Sequence, residues 1–197
     1  MTPIRLLVGL GNPGPAYADT RHNAGFWLVE AFARAHHAEL RPERRFHGRV
    51  ARARVDGYEI WLIEPETYMN ASGQAVQALA AYYRIAPTEI LVAHDELDLP
   101  PGTARLKRGG GAGGHNGLKD IITRLGAEFW RLRLGIGHPG DRAQVVDYVL
   151  NRPSREEALR IEDAIDRSLK ILPLVVAGDL ETAMHRLHTR VVPKPQA

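Results

Sequence analysis

IRLLVGLGNPGP, residues 4–15, joins an apolar run to a loop of glycine and proline. The run over residues 4–10 is short and bounded by glycine, which predicts a buried strand. Residues 11–15 are too rich in proline and glycine for a helix or a strand, so they predict a loop. The polar residue Asn12 therefore lies where the chain leaves a buried strand.

Further strands and helices alternate from this point to the end of the chain. Asn23 precedes apolar residues at helical spacing and is available as an N-cap. Alternating runs on both sides of Asp56-Gly57 predict a β-hairpin with a type I′ turn. A capping box at Ser154 and an N-cap at Asp179 open two more helices. Other predicted helices cover residues 71–83 and 118–125, and other predicted strands cover 90–94, 103–107 and 130–137.

This alternation, without a linker or an internal repeat, predicts one α/β domain over residues 1–190. Its core is expected to be a twisted, mostly parallel mixed β-sheet flanked by helices. Residues 191–197 carry two prolines and are predicted to be a frayed C-terminal tail.

The composition excludes several classes of protein. The chain has 197 residues, no cysteine, 26 lysine and arginine residues against 23 acidic ones, and a net charge of +3. Without cysteine there is no disulfide scaffold, iron–sulfur cluster, cysteine nucleophile or cysteine zinc site. No run reaches the ~18 apolar residues of a membrane helix, and the N-terminal run is too short for a signal-peptide core, so we expect a cytoplasmic protein. The mild positive charge permits an anionic partner without requiring one.

Gly9, Gly11 and Gly14 match the G-x-G-x-x-G pattern of dinucleotide sites. That fingerprint needs a helix that opens inside the motif, with its N-terminus facing the pyrophosphate. Pro13 and Pro15 interrupt here, and the predicted helix starts nearly ten residues later. The context therefore argues against a dinucleotide site, although a nucleotide-binding α/β enzyme stays an alternative.

Residues 109–117 form a second glycine-rich loop, which contains His115 and Asn116. It lacks the Gly-Lys-Ser/Thr ending of a nucleotide P-loop. Glycine is used where backbone approaches a ligand, and a predicted helix follows at once, so we interpret the loop as functional. A metal would need histidine and carboxylate ligands, and only His185 and His188 have a suitable helical spacing. Plain surface residues explain that pair better, so no metal site is expected.

Four polar residues, listed here, follow predicted strands: Asn12, Asn70, Asp95 and Asn116. Ligands of open α/β sheets bind outside the carboxyl ends of the strands, so these residues are expected to converge. His22 stands near the first of these loops. A neutral imidazole is a general base near pH 7, and Asp95 could fix its tautomer. Without a cysteine or a serine nucleophile elbow, this pair points to an activated water. Asparagines position water, donate to an oxyanion and bind amides, which suits hydrolysis of an ester or amide.

Several longer motifs resemble the bacterial peptidyl-tRNA hydrolase family, in the right order over most of the chain. They are VGLGNPG at 8–14, Tyr17, TRHNAG at 20–25, P-x-TYMN-x-SG at 65–73, VAHDELDLPPG at 92–102, GGGAGGHNGLKDI at 109–121 and RLRLGIGHPG at 131–140. The resemblance implies a single α/β domain that acts as a monomer, with no metal, no cofactor and no obligate protein partner. It also implies a mobile lid around residues 140–150.

The implied reaction is hydrolysis of the ester between the peptide and the 3′ ribose of peptidyl-tRNA. By the same resemblance, His22 activates water, Asp95 orients His22, and Asn12 distinguishes N-blocked from free aminoacyl groups. The remaining roles are binding roles. Asn70 and Asn116 are expected to hold the peptide backbone and the 3′ end, Tyr17 and Tyr68 to flank the terminal nucleotide or the peptide, and Lys107 and Arg133 to meet a tRNA phosphate.

Two departures and one alternative accompany the resemblance. Residues 126–129 are shorter than the family pattern, which blurs the geometry before Arg133, and Ala112 varies the glycine loop. A non-catalytic branch of the family serves as an RNA-splicing partner in plastids, so an RNA-binding module without chemistry stays open. The arginines between residues 41 and 54 are interpreted as a solvated face of the hairpin.

Overall fold

The computed structural model describes residues 1–189 and has the predicted alternation of strands and helices. Its seven strands are β1 Leu6–Gly9, β2 Arg41–Glu43, β3 Gly48–Val55, β4 Tyr58–Pro65, β5 Ile90–Glu96, β6 Ala104–Arg108 and β7 Trp130–Gly135. Its six α-helices are α1 Ala24–Ala35, α2 Ser72–Tyr83, α3 Asn116–Leu125, α4 Val145–Val149, α5 Arg155–Ala177 and α6 Leu180–His188. The predicted tail at 191–197 lies outside the described residues.

The strands form one mixed sheet in the order β2-β3-β4-β1-β5-β7-β6. Its four central strands, β4, β1, β5 and β7, are parallel. The strands at both edges are antiparallel to their neighbours. The predicted fold class is confirmed. The parallel strands place their carboxyl ends at one edge of the sheet, which positions the polar residues that follow them.

The sheet is buried on both faces, as a central parallel sheet requires. Side chains alternate along β1, so that Leu7 packs into one apolar layer while Leu6 and Val8 pack into the other. The first layer contains residues of α1, α5 and α6, and the second contains residues of α2 and α3. Helices on both faces therefore bury both sides of the same strands.

Local signals fix several boundaries. Asp56 and Gly57 both have positive φ, 48° and 84°, as a type I′ turn requires. Ser154 accepts from the Glu157 N–H, and Glu157 closes the predicted capping box. Asn23 is a correction, because it occupies the N-cap position of α1 without a side-chain capping bond. Its side chain binds the backbone of Asn12 instead.

Close packing of a helix on the sheet explains Gly9 at the end of β1 and Gly25 in α1. A Cβ on Gly9 would lie 2.4 Å from the Gly25 carbonyl oxygen, and a Cβ on Gly25 would lie 2.4 Å from that of Ala93. These residues are glycines because α1 crosses β1 and β5 at backbone contact. Since α1 begins only at Ala24, no helix N-terminus stands within the G-x-G-x-x-G stretch. The helix context that a dinucleotide fingerprint requires is therefore not met at this stretch.

Across residues 1–189, no helix has the length and apolar character needed to cross a membrane.

Candidate active site

The polar residues that follow the strands surround a cleft of about 330 Å³ at the carboxyl edge of the sheet. Six residues predicted for the site line it: Asn12, His22, Tyr68, Asn70, Asp95 and Asn116. They come from the loop after β1, the turn before α1, the segment after β4, the end of β5 and the start of α3. The structure therefore brings these side chains together at one edge of the sheet, as expected.

His22 and Asp95 are directly paired. Nδ1 of His22 lies 2.8 Å from Oδ2 of Asp95. The carboxylate accepts, so Nδ1 carries the proton and Nε2 is the unprotonated nitrogen of a neutral ring. The His22 side chain is 12% exposed and that of Asp95 is 2% exposed. The imidazole thus reaches the cleft while its partner is shielded from water.

His115 is a third member of this cluster, and the sequence analysis assigned it no role in the site. Its Nε2 lies 2.8 Å from Oδ1 of Asp95. Its Nδ1 accepts hydrogen bonds from the backbone N–H groups of Gly117 and Leu118 at the start of α3. Nε2 must therefore carry the proton and donate to Asp95. Both carboxylate oxygens of Asp95 are held by histidines.

The electrostatics of the cluster favour a charged pair. Burial alone would lower the pKa of His22, but the charge of Asp95 and its hydrogen bond raise the pKa above its usual value. Burial opposes ionisation of Asp95, yet the attraction of His22 and His115 holds the pKa of that carboxyl well below its usual range. Asp95 is consequently an anion, and it stabilises a proton on His22.

His94 stands beside this cluster and stays neutral. Burial, together with the nearby His115, lowers the pKa of His94 to about 3. Its Nδ1–H donates to the backbone carbonyl of Asp95, and its Nε2 is buried without a hydrogen-bond partner. Because the His94 imidazole is enclosed, it cannot contact the attacking water and therefore cannot replace His22 as the base.

The three groups His22, Asp95 and His115 also have ligand atoms within 4.8 Å of one another, a spacing compatible with a metal. Their hydrogen bonds argue for another use, because the facing atoms are donors and acceptors that already satisfy each other. Of the other two histidines considered from the sequence, His185 is exposed and His188 has a structural contact. Nε2 of His188 accepts from the backbone N–H of Leu106 on the edge strand β6.

Asn12 is held in one orientation by the residues around it. Its Oδ1 accepts from the Met69 N–H at 2.8 Å. Its backbone is bound twice by the side chain of Asn23, at 2.9 and 3.0 Å. Since Oδ1 is occupied, the group that Asn12 offers to a ligand is Nδ2, a hydrogen-bond donor.

The remaining predicted ligands of the cleft form its rim. Asn70 and Asn116 are exposed, and Tyr68 is 65% exposed. Tyr17 does not line the cleft, but its ring lies edge-on to that of Tyr68 with centroids 6.4 Å apart. The two tyrosines thus form one aromatic feature beside the opening.

Comparisons with known proteins match this arrangement. The model of the family described as peptidyl-tRNA hydrolase matches residues 6–195. The chain belongs to the peptidyl-tRNA hydrolase family. It is 56% identical to the peptidyl-tRNA hydrolase of Nitrosomonas europaea over 95% of this chain and 97% of that protein. It is 54% identical to that of Variovorax paradoxus over 98% and 92%. The crystal structure of an Arg119Gln mutant of the Acinetobacter baumannii peptidyl-tRNA hydrolase superposes with a TM-score of 0.94, at 49% identity and 95% coverage of both chains.

A more distant likeness concerns only the fold. A purine nucleoside phosphorylase from Toxoplasma gondii has a TM-score of 0.54 at 11% identity, over 92% of this chain and 93% of that one. The strand-and-helix framework is therefore shared beyond the peptidyl-tRNA hydrolase family.

In the present chain, Lys107 and Arg133 lie outside the cleft, on the β6–β7 edge of the sheet. Lys107 pairs in register with Arg131, and Arg105 with Arg133, so the four side chains share one face of the sheet. Arg131 is buried and donates to the carbonyls of Gly110 and Gly111, which fixes the glycine loop. Arg133 pairs with Glu96 at 2.8 Å. Arg105 and Lys107 are the exposed cations of this face, and Arg105 was missed by the sequence analysis.

Residues 140–150, the predicted lid, form an apolar wall of the cleft. They contain a 3₁₀ turn and the short helix α4, which places Val145, Val146 and Val149 along the opening. Val146 is 67% exposed. Mobility of this segment stays a prediction.

The arginines between residues 41 and 54 are mostly paired with glutamates. Those with a carboxylate within 4.0 Å are Arg41, Arg45, Arg49, Arg52 and Arg54. Glu64, the partner of Arg49, is buried, whereas the other four arginines and their glutamates face solvent, which supports the interpretation as a solvated face.

Proposed function

We propose that His22 activates the water that hydrolyses the ester bond between the peptide and the 3′ ribose of peptidyl-tRNA. The observation that carries this mechanism is the 2.8 Å hydrogen bond between Nδ1 of His22 and Asp95 in the cleft. Nε2 accepts a proton from water while the water oxygen attacks the ester carbonyl. When the carbon–oxygen bond breaks, the imidazolium returns that proton to the leaving 3′ oxygen. Peptide acid and free tRNA result.

Asp95 and His115 support this step without touching the substrate. Asp95 keeps the proton of His22 on Nδ1 and stabilises the imidazolium that forms. The second hydrogen bond, from His115, prevents the carboxylate from turning away. His115 is in turn fixed by two backbone N–H groups of α3, so the relay is anchored in a helix.

Asn12 supplies selectivity for N-blocked substrates in this proposal. Its Nδ2 amide group is a donor, and the hydrogen bond from the Met69 N–H to Oδ1 fixes the orientation in which Nδ2 is presented. An N-acyl carbonyl accepts such a donor, whereas the ammonium of a free aminoacyl group is itself a donor and is left without a partner. Asn70 and Asn116, at the exposed rim, bind the peptide backbone and the 3′ end.

Recognition of tRNA uses the rim and the β6–β7 edge. The Tyr17–Tyr68 pair offers flat rings for the terminal base or the peptide. Lys107 and Arg133 meet a phosphate, with Arg105 on the same face. We also propose that the protein acts as a monomer without a protein partner, in the cytoplasm where its substrate arises.

The test compares N-acetylaminoacyl-tRNA with its unblocked counterpart, without added metal. The unaltered protein should release only the blocked aminoacyl group. His22→Ala should lose about 10²–10⁴-fold in turnover, because the base is gone, and keep its circular dichroism spectrum. His36→Ala, at the C-cap of α1 and outside the lining of the cleft, is the matched control and should retain full activity. Near-normal turnover in His22→Ala would refute the mechanism, and tRNA binding without release by the unaltered protein would favour the RNA-binding alternative.

A further inference from the structure

A second cavity, of about 300 Å³, lies on the other side of the Asn12 loop from His22 and Asp95. Its lining is acidic, with Asp19, Glu30, Glu64 and Glu66 against the single cation Arg49. Two aromatic residues, Phe26 and Trp27, complete the wall. The indole N–H of Trp27 is already bound to the carbonyl of Ala18, so the ring is fixed in place.

Glu64 is the unusual member of this lining. It lies near the end of β4 and is 1% exposed. Its Oε1 is buried and has no hydrogen-bond partner. Its Oε2 is 3.9 Å from Nη1 of Arg49, which is beyond hydrogen-bond distance. Buried carboxylates are normally paired, so this unpartnered oxygen points to a missing donor.

The charges around Glu64 make a cation the matching ligand. Burial raises the pKa of Glu64, the charge of Glu30 raises it further, Arg49 opposes this, and Glu66 and a hydrogen bond with the Glu30 carboxyl add to it, so that the pKa is about 8. The groups facing Glu64 are thus Glu30 from α1, Arg49 from β3 and Glu66 beyond β4. Asp19 also lines the cavity but pairs with Arg152 at 3.4 Å. A cation bound here would replace a proton on Glu64.

We propose that this cavity binds a primary alkylammonium group, whose N–H donates to Oε1 of Glu64 and whose hydrocarbon chain packs against Trp27 and Phe26. Carboxylates satisfy the three donors of an ammonium, and aromatic faces favour an organic cation over a hydrated metal ion. The guanidinium of Arg49, so close to Glu64, further disfavours a divalent ion. A cavity of this size holds a chain of several carbons.

Binding is tested with putrescine, and 1,4-butanediol serves as its uncharged analogue. Titration of the whole chain at pH 8.5 should give at least tenfold tighter binding of putrescine than of the diol. Because Glu64 must lose its proton, putrescine affinity should rise about tenfold from pH 6 to pH 7. Glu64→Gln should weaken putrescine binding at least tenfold and remove this pH dependence.

Two further variants make the result specific. Glu30→Gln should weaken binding as well, which keeps the test decisive if Glu64→Gln folds poorly. Glu181→Gln, an exposed carboxyl in α6 that does not line the cavity, is the matched control and should bind as the unaltered chain does. Equal binding of amine and diol, undiminished binding in both cavity variants, or binding of Mg²⁺ in place of putrescine would each overturn the proposal.

The ammonium could come from a free amine or from a lysine side chain of the peptidyl group, and kinetics distinguish the two sources. If lysine is the source, saturating putrescine should slow release from N-acetyl-lysyl-tRNA and leave release from N-acetyl-leucyl-tRNA unchanged. If a free amine is the source, both substrates should respond alike. Only this arm rests on the proposed hydrolase activity. Failure of the binding titration therefore refutes the cavity proposal alone.

Discussion

Asp95 controls the chemistry of the cleft, because both of its oxygens accept a hydrogen bond from a histidine. The attraction of this carboxylate raises the pKa of His22 against the effect of burial. A general base works only when it is unprotonated, so activity should rise with pH through the pKa of His22. The acidic limb of kcat/KM should therefore lie above pH 6.5.

Asp95→Asn should move that limb to lower pH, since burial would then act on His22 without the opposing charge. Its plateau should also fall by on the order of 10²–10⁴-fold, because the imidazolium loses its counter-charge. Asp98→Asn, an exposed carboxyl close by, is the control and should leave the profile unchanged. A limb that stays at the same pH in Asp95→Asn would contradict the proposed coupling.

Sequence reasoning found this cluster only in part. Asp95 stood out because it follows a predicted strand, and His22 because it stands near the first loop and has complementary chemistry. His115 sits next to Asn116 in the glycine loop, but its contact with Asp95 depends on how that loop folds back over β5. Arg131, buried within a strand, ties the loop carbonyls in place. Neither contact has a signal in local spacing.

One arginine and one lysine give the β6–β7 edge its exposed positive charge. Arg105 and Lys107 share a face, while the other two cations there are bound to Glu96 and to the glycine loop. Lys107→Ala should weaken binding of tRNA substrates and make log affinity less steep in log salt by about one unit. Arg105→Ala should act in the same direction.

Minimal ester substrates without a tRNA body separate this role from catalysis. They should be hydrolysed by Lys107→Ala at the rate of the unaltered protein. Lys170→Ala, which removes an exposed lysine of α5 outside strands β6 and β7, provides the control. An equal loss on tRNA and minimal substrates would contradict phosphate recognition by Lys107.

The short helix α4 is fastened to the turn that carries His22. The guanidinium of Arg21 lies 3.9 Å from the ring centroid of Tyr148, donates to the Tyr148 carbonyl and reaches Glu157 at 3.4 Å. The hydroxyl of Tyr148 donates to the carbonyl of Ile136. Arg21 thus connects the catalytic turn, α4 and α5.

Arg21→Lys should loosen α4, because an ammonium cannot reproduce the planar fork and the stacking. A loss of about 1–2 kcal/mol in the free energy of local opening should speed amide hydrogen exchange over residues 145–150 by roughly 5–30-fold. Arg142→Lys, exposed in the preceding turn, is the matched control. Unchanged exchange in Arg21→Lys would show that α4 is held by its apolar contacts alone.

Element length explains which parts of the fold were predictable. The helix Arg155–Ala177 begins at a capping box and is long enough for its helical periodicity to be recognised. The hairpin β3–β4 has a characteristic turn pair between two strands of eight residues each. The strand Arg41–Glu43 has three residues and α4 has five, so neither completes a recognisable pattern. Both depend on tertiary contacts, with β3 and with the Arg21 turn respectively.

At the scale of the whole molecule, the stability of the fold should respond to the buried carboxyl of Glu64. In the folded chain the pKa of Glu64 is about 8, whereas an exposed glutamate titrates near 4.5. Between these values the folded state holds a proton that the unfolded state releases. The contribution of Glu64 to stability must therefore fall as pH rises from about 4.5 to 8, and it is constant below and above this window.

Glu64→Gln removes this titration, so its free energy of unfolding should exceed that of the unaltered chain increasingly from pH 5 to pH 8. The relative gain should be on the order of 3 kcal/mol, because each pKa unit corresponds to about 1.4 kcal/mol. Urea unfolding at both pH values measures it, and the comparison cancels the titration of His22 and Asp95, which both chains share. Glu66→Gln, a neighbour of Glu64 that is exposed, is the control and should show a much smaller change. A pH-independent difference between Glu64→Gln and the unaltered chain would mean that Glu64 is ionised in the folded state and is compensated by Arg49.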